Sequence, residues 1–550
     1  MRITVVAFLL LSLGAVAVLA APAAPAPEWP SLDRQLAAAR VVPGTALERL
    51  IRDNQDFQML RPDELKDHRG LPLWLRVYWR KGHPELVYSA SDPTGGYPYV
   101  LKEILEWMVS HQDLRPGSAD EPSAPDLRAI TVGGDLRTSG AQTSPRSESA
   151  IAINRQNTNR IIGACNNISA SGQQAQFFST DGGATWGQSF LPLVGKDSFH
   201  SDPTVDWTSD GTAWSATIGI HGNTLGMRAY KSTDGGATWT FDATFSGKQH
   251  ATDKDMMWVD HSSASPFKDQ IYAIWHDGRP AFVNRRTGPA GSWQTPIQVS
   301  GAETVGTAIG GDVKTNGAGD VFAFWPATGN SKIIVARSTD GGASFGTPVV
   351  IATTSDSFDI GIPAMDSRRA LIYVAAGAFS ASAVNNVYAS WTDLTGAAGC
   401  NVPADEPGAN TSSPCKTRIW FARSTNGGAT WSAPVMLNNQ PSLNDQFNQW
   451  LAVDENDGRI GVIYYDTVND PSRLKTDIWY QSSSDGGVTW SAAVKVTTAE
   501  TDETIAGADS GNQYGDYNGL SGVLGKFFPS WTDRRDLTFE EIWTAPIADP

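Results

Sequence analysis

Acids, histidines and arginines gather at the ends of short apolar runs through most of this chain. Ahead of the runs stand Glu148, His200, Asp202, His250, Asp253, Lys254, Asp255, Asp312, Asp516 and Tyr517, among others. Behind them stand His276, Asp277, Arg279, Arg473, Asp533, Arg534 and Arg535. Carboxylates, imidazoles and phenols are the groups that move protons or attack carbon in catalysis, and guanidinium groups pair with anions through two parallel hydrogen bonds. Brought together, such groups suit a polar ligand such as a sugar. The same aspartates could simply cap turns, or offer oxygen ligands to Ca²⁺, although the chain holds no contiguous calcium-binding loop.

What could bring them together is a repeat. The octamer STDGGATW occurs at Ser179–Trp186 and again at Ser232–Trp239. STDGGASF (Ser338–Phe345), STNGGATW (Ser424–Trp431) and SSDGGVTW (Ser483–Trp490) are further copies, and RTGPAGSW at Arg286–Trp293 is a decayed one. Their final aromatics are separated by 53, 54, 52, 86 and 59 residues, about the length of a propeller blade. From residue 131 onward, period-two apolar runs alternate with Gly/Asp/Asn turns, the signature of short strands. Seven starts of inner strands, including Asp359-Ile360 and Tyr514-Gly515-Asp516, stand against six octamers. The pattern predicts an all-β propeller of four-stranded blades over 131–550, seven rather than six. The segment around Ala129–Val132 would supply the last outer strand, because a closed ring leaves no bare sheet edge. The loops before inner strands and after second strands emerge on one face of a propeller, so the listed groups would share that face.

The octamer itself reads as scaffold. Its glycine pair permits positive φ, its Ser and Asp can bond turn amides, and its aromatic can pack between sheets. The pattern S-x-D-x-G-x-T-W resembles the Asp-box, or bacterial neuraminidase repeat, of the sialidase-like propeller superfamily. The resemblance covers roughly residues 140–550. It implies a Tyr nucleophile, an Asp acid/base and an arginine triad that grips a substrate carboxylate. On this chain those roles would fall to Tyr517, which opens Tyr517-Asn518-Gly519-Leu520, to Asp202 or Asp255, and to Arg279, Arg473 and Arg534 or Arg535, with His200 and His250 as further substrate contacts. The family's first-blade Arg-Ile-Pro motif is absent, and SESAIAINRQNTNR, with Glu148, stands in its place.

Three readings stay open: a glycoside hydrolase of sialidase type, a non-catalytic propeller that binds a glycan or a protein, and a polysaccharide lyase using histidine and tyrosine. The expected partner is a glycan or polysaccharide. A formal net charge of −16 argues against nucleic acid and anionic membranes.

The rest of the chain bears on location. Residues 1–20 read as a signal peptide and 21–30 as an Ala/Pro spacer. Residues 31–114 carry helical periodicity and 115–130 read as a polar, Pro-rich linker. No other run is apolar and long enough to span a membrane. A secreted or periplasmic monomer is expected. There Cys400 and Cys415, which bracket a Gly/Pro/Asn-rich loop, would pair, closing a loop worth about 3 kcal/mol. Cys165, in IIGAC, reads as a small core residue.

Overall fold

The computed structural model describes residues 130–550, apart from Ala141, Ser357, Asp366, Ser382, Ala383 and Pro403. The segments expected to be signal peptide, spacer and helical region, and nearly all of the expected linker, lie outside the described residues. The described residues form seven four-stranded antiparallel blades. Their inner strands are Arg146–Ile153, Phe199–Trp207, Thr252–Val259, Asp312–Thr315, Ala375–Ala381, Gln446–Val453 and Gly519–Val523. Each inner strand packs against the next, and the seventh packs back against the first. This closes a β-propeller.

The closure is made by the start of the described chain. Thr131 and Val132 pair with Ala548 and Ile547. Leu136 and Arg137 pair with Thr544 and Trp543. The seventh blade thus takes its outer strand from the far end of the sequence, and no blade edge at the seam is left open.

Packing between blades rests on the second strands. Trp214, Trp275, Trp325, Trp391 and Trp531 lie on the second strands of five blades, and all are fully buried. A buried aromatic removes about 150–250 Å² from water, and at about 25 cal/mol per Å² each contributes roughly 4–6 kcal/mol before entropy.

The octamers join third strands to outer strands and are closed turns. In the first, Ser179 Oγ donates to Asp181 Oδ1 (2.8 Å), Gly183 N to Ser179 Oγ (2.9 Å) and Thr185 Oγ1 to Asp181 Oδ2 (2.6 Å). Trp186 Nε1 donates to Gly183 O at 3.1 Å. The second copy repeats these bonds from Ser232 to Trp239. Gly182 and Gly183 have φ of 74° and 90°, which a side chain would strain.

One strand expectation is corrected. Asp359–Ile360 pairs with Ala370–Leu371 in a separate hairpin, and the fifth inner strand begins at Ala375. The 86-residue step therefore holds two insertions, this hairpin and the loop closed by the Cys400–Cys415 disulfide, whose Cα atoms are 5.0 Å apart. Cys165 is a buried free thiol.

Candidate functional site: an acid-rich cluster on the propeller axis

Four inner strands break their own ladder at the same place. Register slips between Ser147 and Ser149, Ser201 and Thr204, Asp253 and Met256, and Phe447 and Trp450. Each slip holds a non-glycine residue in left-handed backbone: Glu148 (φ 53°), Asp202 (56°), Lys254 (49°) and Asn448 (46°). Such a conformation costs about 1–2 kcal/mol per residue. A bulge re-aims a side chain out of the alternating in–out pattern, and here all four contribute to one cluster at the axis.

Hydrogen bonds tie the cluster together across blades. Asn166 Nδ2 donates to Glu148 Oε2 (2.8 Å), and its Oδ1 accepts from Asp202 N (2.9 Å). Lys254 N donates to both Asp202 Oδ2 (3.1 Å) and Asp253 Oδ1 (2.9 Å), so these two carboxylates converge on one amide. On the other side Asn448 Nδ2 donates to Gly515 O (2.9 Å) and Asn518 Nδ2 to Asn448 O (2.7 Å). Gly515, at φ 69°, lies so close to Glu148 that a Cβ there would sit 2.6 Å from Glu148 Cγ. Arg368, from the hairpin before the fifth blade, reaches Glu148 Oε1 at 3.4 Å and ion-pairs with Asp516.

Several buried polar atoms in the cluster have no hydrogen-bond partner: Lys254 Nζ, both carboxylate oxygens of Asp255, Tyr517 Oη, Asn448 Oδ1 and Asn518 Oδ1. The Lys254 ammonium instead faces aromatic rings, 3.8 Å from the centre of Tyr517, 5.2 Å from Tyr373 and 5.6 Å from Trp450. Burial lowers the Lys254 amine to about 8, against the pull of Asp202, Asp312, Asp255 and Glu148. Burial, with Asp202 next in size, raises Glu148 to about 7, while Arg368 and Lys254 oppose the rise. Burial and then Asp253 raise Asp202 to about 6. Burial lifts Asp255 well above the usual carboxylate range, with Asp202 adding to it. It also holds Tyr517 firmly as the neutral phenol. Protons are therefore retained on carboxyl groups near neutral pH, the condition for acid–base work.

Below the cluster a cavity of about 70 Å³ runs along the axis between the inner strands. Trp450, Asn518 and Lys314 line it together with Ile151, Val205, Met257 and Leu451. Among the described residues no three His, Cys, Asp or Glu side chains are grouped to hold a metal ion.

The sequence-selected residues divide. Tyr517, Asp202 and Asp255 belong to the cluster. The arginine grip is not assembled. Arg473 is spent on Asp445 (2.8 and 2.7 Å) and on the carbonyls of Ser413 and Cys415, both 3.0 Å away. Arg534 is fully buried against the carbonyls of Ile505, Ala506 and Leu537. Arg535 is bound to Asp533 and Asp135 and lies 4.2 Å over the Trp543 ring. Arg279 is exposed. His200 is buried, its Nε2 3.2 Å from Tyr230 Oη, and desolvation lowers it to about 4. His250 is exposed, and its backbone N–H donates to Asp277. Arg473, Arg534 and Arg535 share one reason: a charged side chain beside a turn most often satisfies that turn.

Arg368, Tyr373, Trp450, Asn166, Asn448 and Asn518 escaped the sequence reading. One signal for Asn448 was present. Glu148-Ser-Ala-Ile, Asp202-Pro-Thr-Val, Lys254-Asp-Met-Met and Asn448-Gln-Trp-Leu occupy the same phase of their inner strands. Arg368 lies on an insertion outside the repeat, where no phase applies.

No protein-family model matches the chain, and no curated protein matches it. Solved structures align with it at low identity. A protein of unknown function from Dyadobacter fermentans is 13% identical, over 76% of this chain and 99% of that one, with a TM-score of 0.39. An intramolecular trans-sialidase from a leech is 12% identical, over 64% and 70%, with a TM-score of 0.42. A lectin from Burkholderia pseudomallei is 12% identical, over 64% and 84%, with a TM-score of 0.40. With TM-scores this low, the seven-bladed architecture rests on the strand pairing alone.

Proposed function

We propose that the axial cluster is the site of a glycan-active protein that hydrolyses glycosidic bonds. The observation that carries this reading is the mixture of unpartnered groups. Lys254 Nζ and Tyr517 Oη are donors; Asp255, Asn448 and Asn518 present acceptor oxygens. Buried polar groups left unpaired cost about 1–3 kcal/mol each, and they lie behind the half-buried carboxylates of Asp253 and Asp516, which a ligand would meet first. A polyol, whose hydroxyls both donate and accept, suits a mixed set better than an anion or an apolar molecule.

The chemistry would fall to the carboxyl groups. Glu148, held partly protonated near neutral pH, would give a proton to the leaving oxygen. Asp202, more acidic, would face the developing positive charge at the sugar carbon or take a proton from water. Tyr517 would serve as a hydrogen-bond donor to the sugar, since a phenol held neutral is a poor nucleophile. The disulfide supports export to an oxidising compartment, secreted or periplasmic.

Recognition without turnover is the second reading. The ion pairs of Arg368 with Glu148 and Asp516 favour it, because they occupy the proposed acid. The test is turnover of a panel of fluorogenic glycosides by the protein and by Glu148→Gln, Asp202→Asn and Tyr517→Phe. The hydrolase reading expects release from at least one glycoside, a loss of 10²-fold or more with either carboxyl variant, and a smaller loss with Tyr517→Phe. Sugar binding with no release from any glycoside would leave recognition.

A further inference from the structure

We propose that the axial site selects uncharged sugars and turns away those that carry a carboxylate. The proposal rests on the glycan reading above and narrows its substrate class. It stands on the placement of charge. Glu148, Asp202, Asp253 and Asp255 crowd the cluster, with Asp516 at its rim, and two cations, Lys254 and Arg368, answer them.

Neither cation is placed to grip an anion. Arg368 is committed to Glu148 at 3.4 Å, to Asp516, and through Nη1 to the Gly511 carbonyl at 2.6 Å. Lys254 is enclosed by the rings of Tyr517, Tyr373 and Trp450 and is almost fully buried. A bidentate grip needs a free guanidinium edge. The arginines that sequence position suggested for that task, Arg473, Arg534 and Arg535, spend their donors on the protein itself.

A ligand carboxylate would have to lose its water beside these acids. Like charges in a desolvated site cannot all ionise, so each such group drives its neighbours toward protonation. An uncharged polyol meets no such opposition. Its hydroxyls can donate to the half-buried carboxylates of Asp253 and Asp516. An ammonium on the sugar would gain from the carboxylates but would enter beside the Lys254 ammonium, which already holds the aromatic faces. The uncharged ligand is the one that meets neither repulsion.

The test is calorimetric titration of the full chain with six sugars: glucose, galactose and arabinose; glucuronate and N-acetylneuraminate; and glucosamine. The expected result is binding of at least one neutral sugar at least ten-fold tighter than either acid, a difference of about 1.4 kcal/mol. In the Glu148→Gln/Asp202→Asn double variant that preference should shrink by about ten-fold and the affinity for the acidic sugars should rise in absolute terms, because the negative charge that these two partly protonated carboxyls still carry is gone. The single Asp202→Asn variant serves if the double variant does not fold, with a smaller change of the same sign. An acidic sugar that binds the native protein as tightly as a neutral one would overturn the proposal while leaving the glycan reading intact. An unchanged preference in the folded variants, or binding of glucosamine alone, would overturn it too. Binding of none of the six would overturn both readings together.

Discussion

The octamer turns between third and outer strands and the bulges at the axis both repeat from blade to blade, and both use left-handed backbone, but they treat it in opposite ways. At the turns the positive φ falls on glycines such as Gly235 and Gly236, and the polar heads of Ser232, Asp234 and Thr238 bond within the same eight residues. At the axis it falls on Glu148, Asp202, Lys254 and Asn448, and neighbouring polar atoms are left without partners. A repeated motif that satisfies itself is scaffold. Strain carried by ionisable residues beside unanswered polar atoms is retained only where the surroundings hold it in place, and such positions cluster at functional sites.

Substitutions can break or sharpen that contrast. The largest effect is expected at a charge assigned to the scaffold. Asp445 is fully buried and bonded to Arg473, so Asp445→Ala leaves a guanidinium buried without its counter-charge. Urea unfolding should register a loss of about 3–5 kcal/mol. A loss below 1 kcal/mol would mean that Arg473 is free to do something else.

Next come the axial carboxyls. Glu148→Gln and Asp202→Asn should lower sugar affinity by ten-fold or more, about 1.4 kcal/mol, with unfolding free energy changed by less than about 1 kcal/mol. Their titration gives a second reading of the same groups. Burial lifts Glu148 from its ordinary 4.5 to about 7. Between those values the folded protein keeps a proton that the unfolded chain has released. Stability contributed by this group is therefore lost as pH rises from about 4.5 to 7 and changes no further above that. Unfolding midpoints measured across that window should fall in the native protein and fall less steeply in Glu148→Gln.

The turns should behave in the reverse manner. Asp234 accepts from Ser232 Oγ, Thr238 N and Thr238 Oγ1, so Asp234→Ala should cost about 1–2 kcal/mol of stability and leave sugar affinity unchanged. The smallest effect is expected where nature has already made the swap. Asn426 holds the fifth turn with the same acceptor bonds and one donor bond to Thr430, and Asn426→Asp should shift the unfolding free energy by less than about 0.5 kcal/mol.

The fold was legible because its signals are periodic. Octamer spacing set the blade length, the inner-strand starts set the number at seven, and the need to close the last sheet pointed to the segment around Ala129–Val132. The site was legible only where it kept step with the repeat. Asp202, Asp255 and Tyr517 do so. The arginines did not follow, because whether a guanidinium faces a ligand or a carbonyl depends on side-chain paths that sequence position leaves open. Arg368 and Tyr373 come from an insertion with no counterpart in other blades, and their approach to Glu148 and Lys254 is a matter of three-dimensional packing.

The most direct measurement is sugar binding by the native protein beside Asp202→Asn and Asp234→Ala, each with its unfolding midpoint. The account expects a neutral sugar to bind, Asp202→Asn to lose affinity at near-native stability, and Asp234→Ala to lose stability at native affinity. Equal affinity in all three proteins, or loss of binding only in Asp234→Ala, would contradict the placement of the site on the axis.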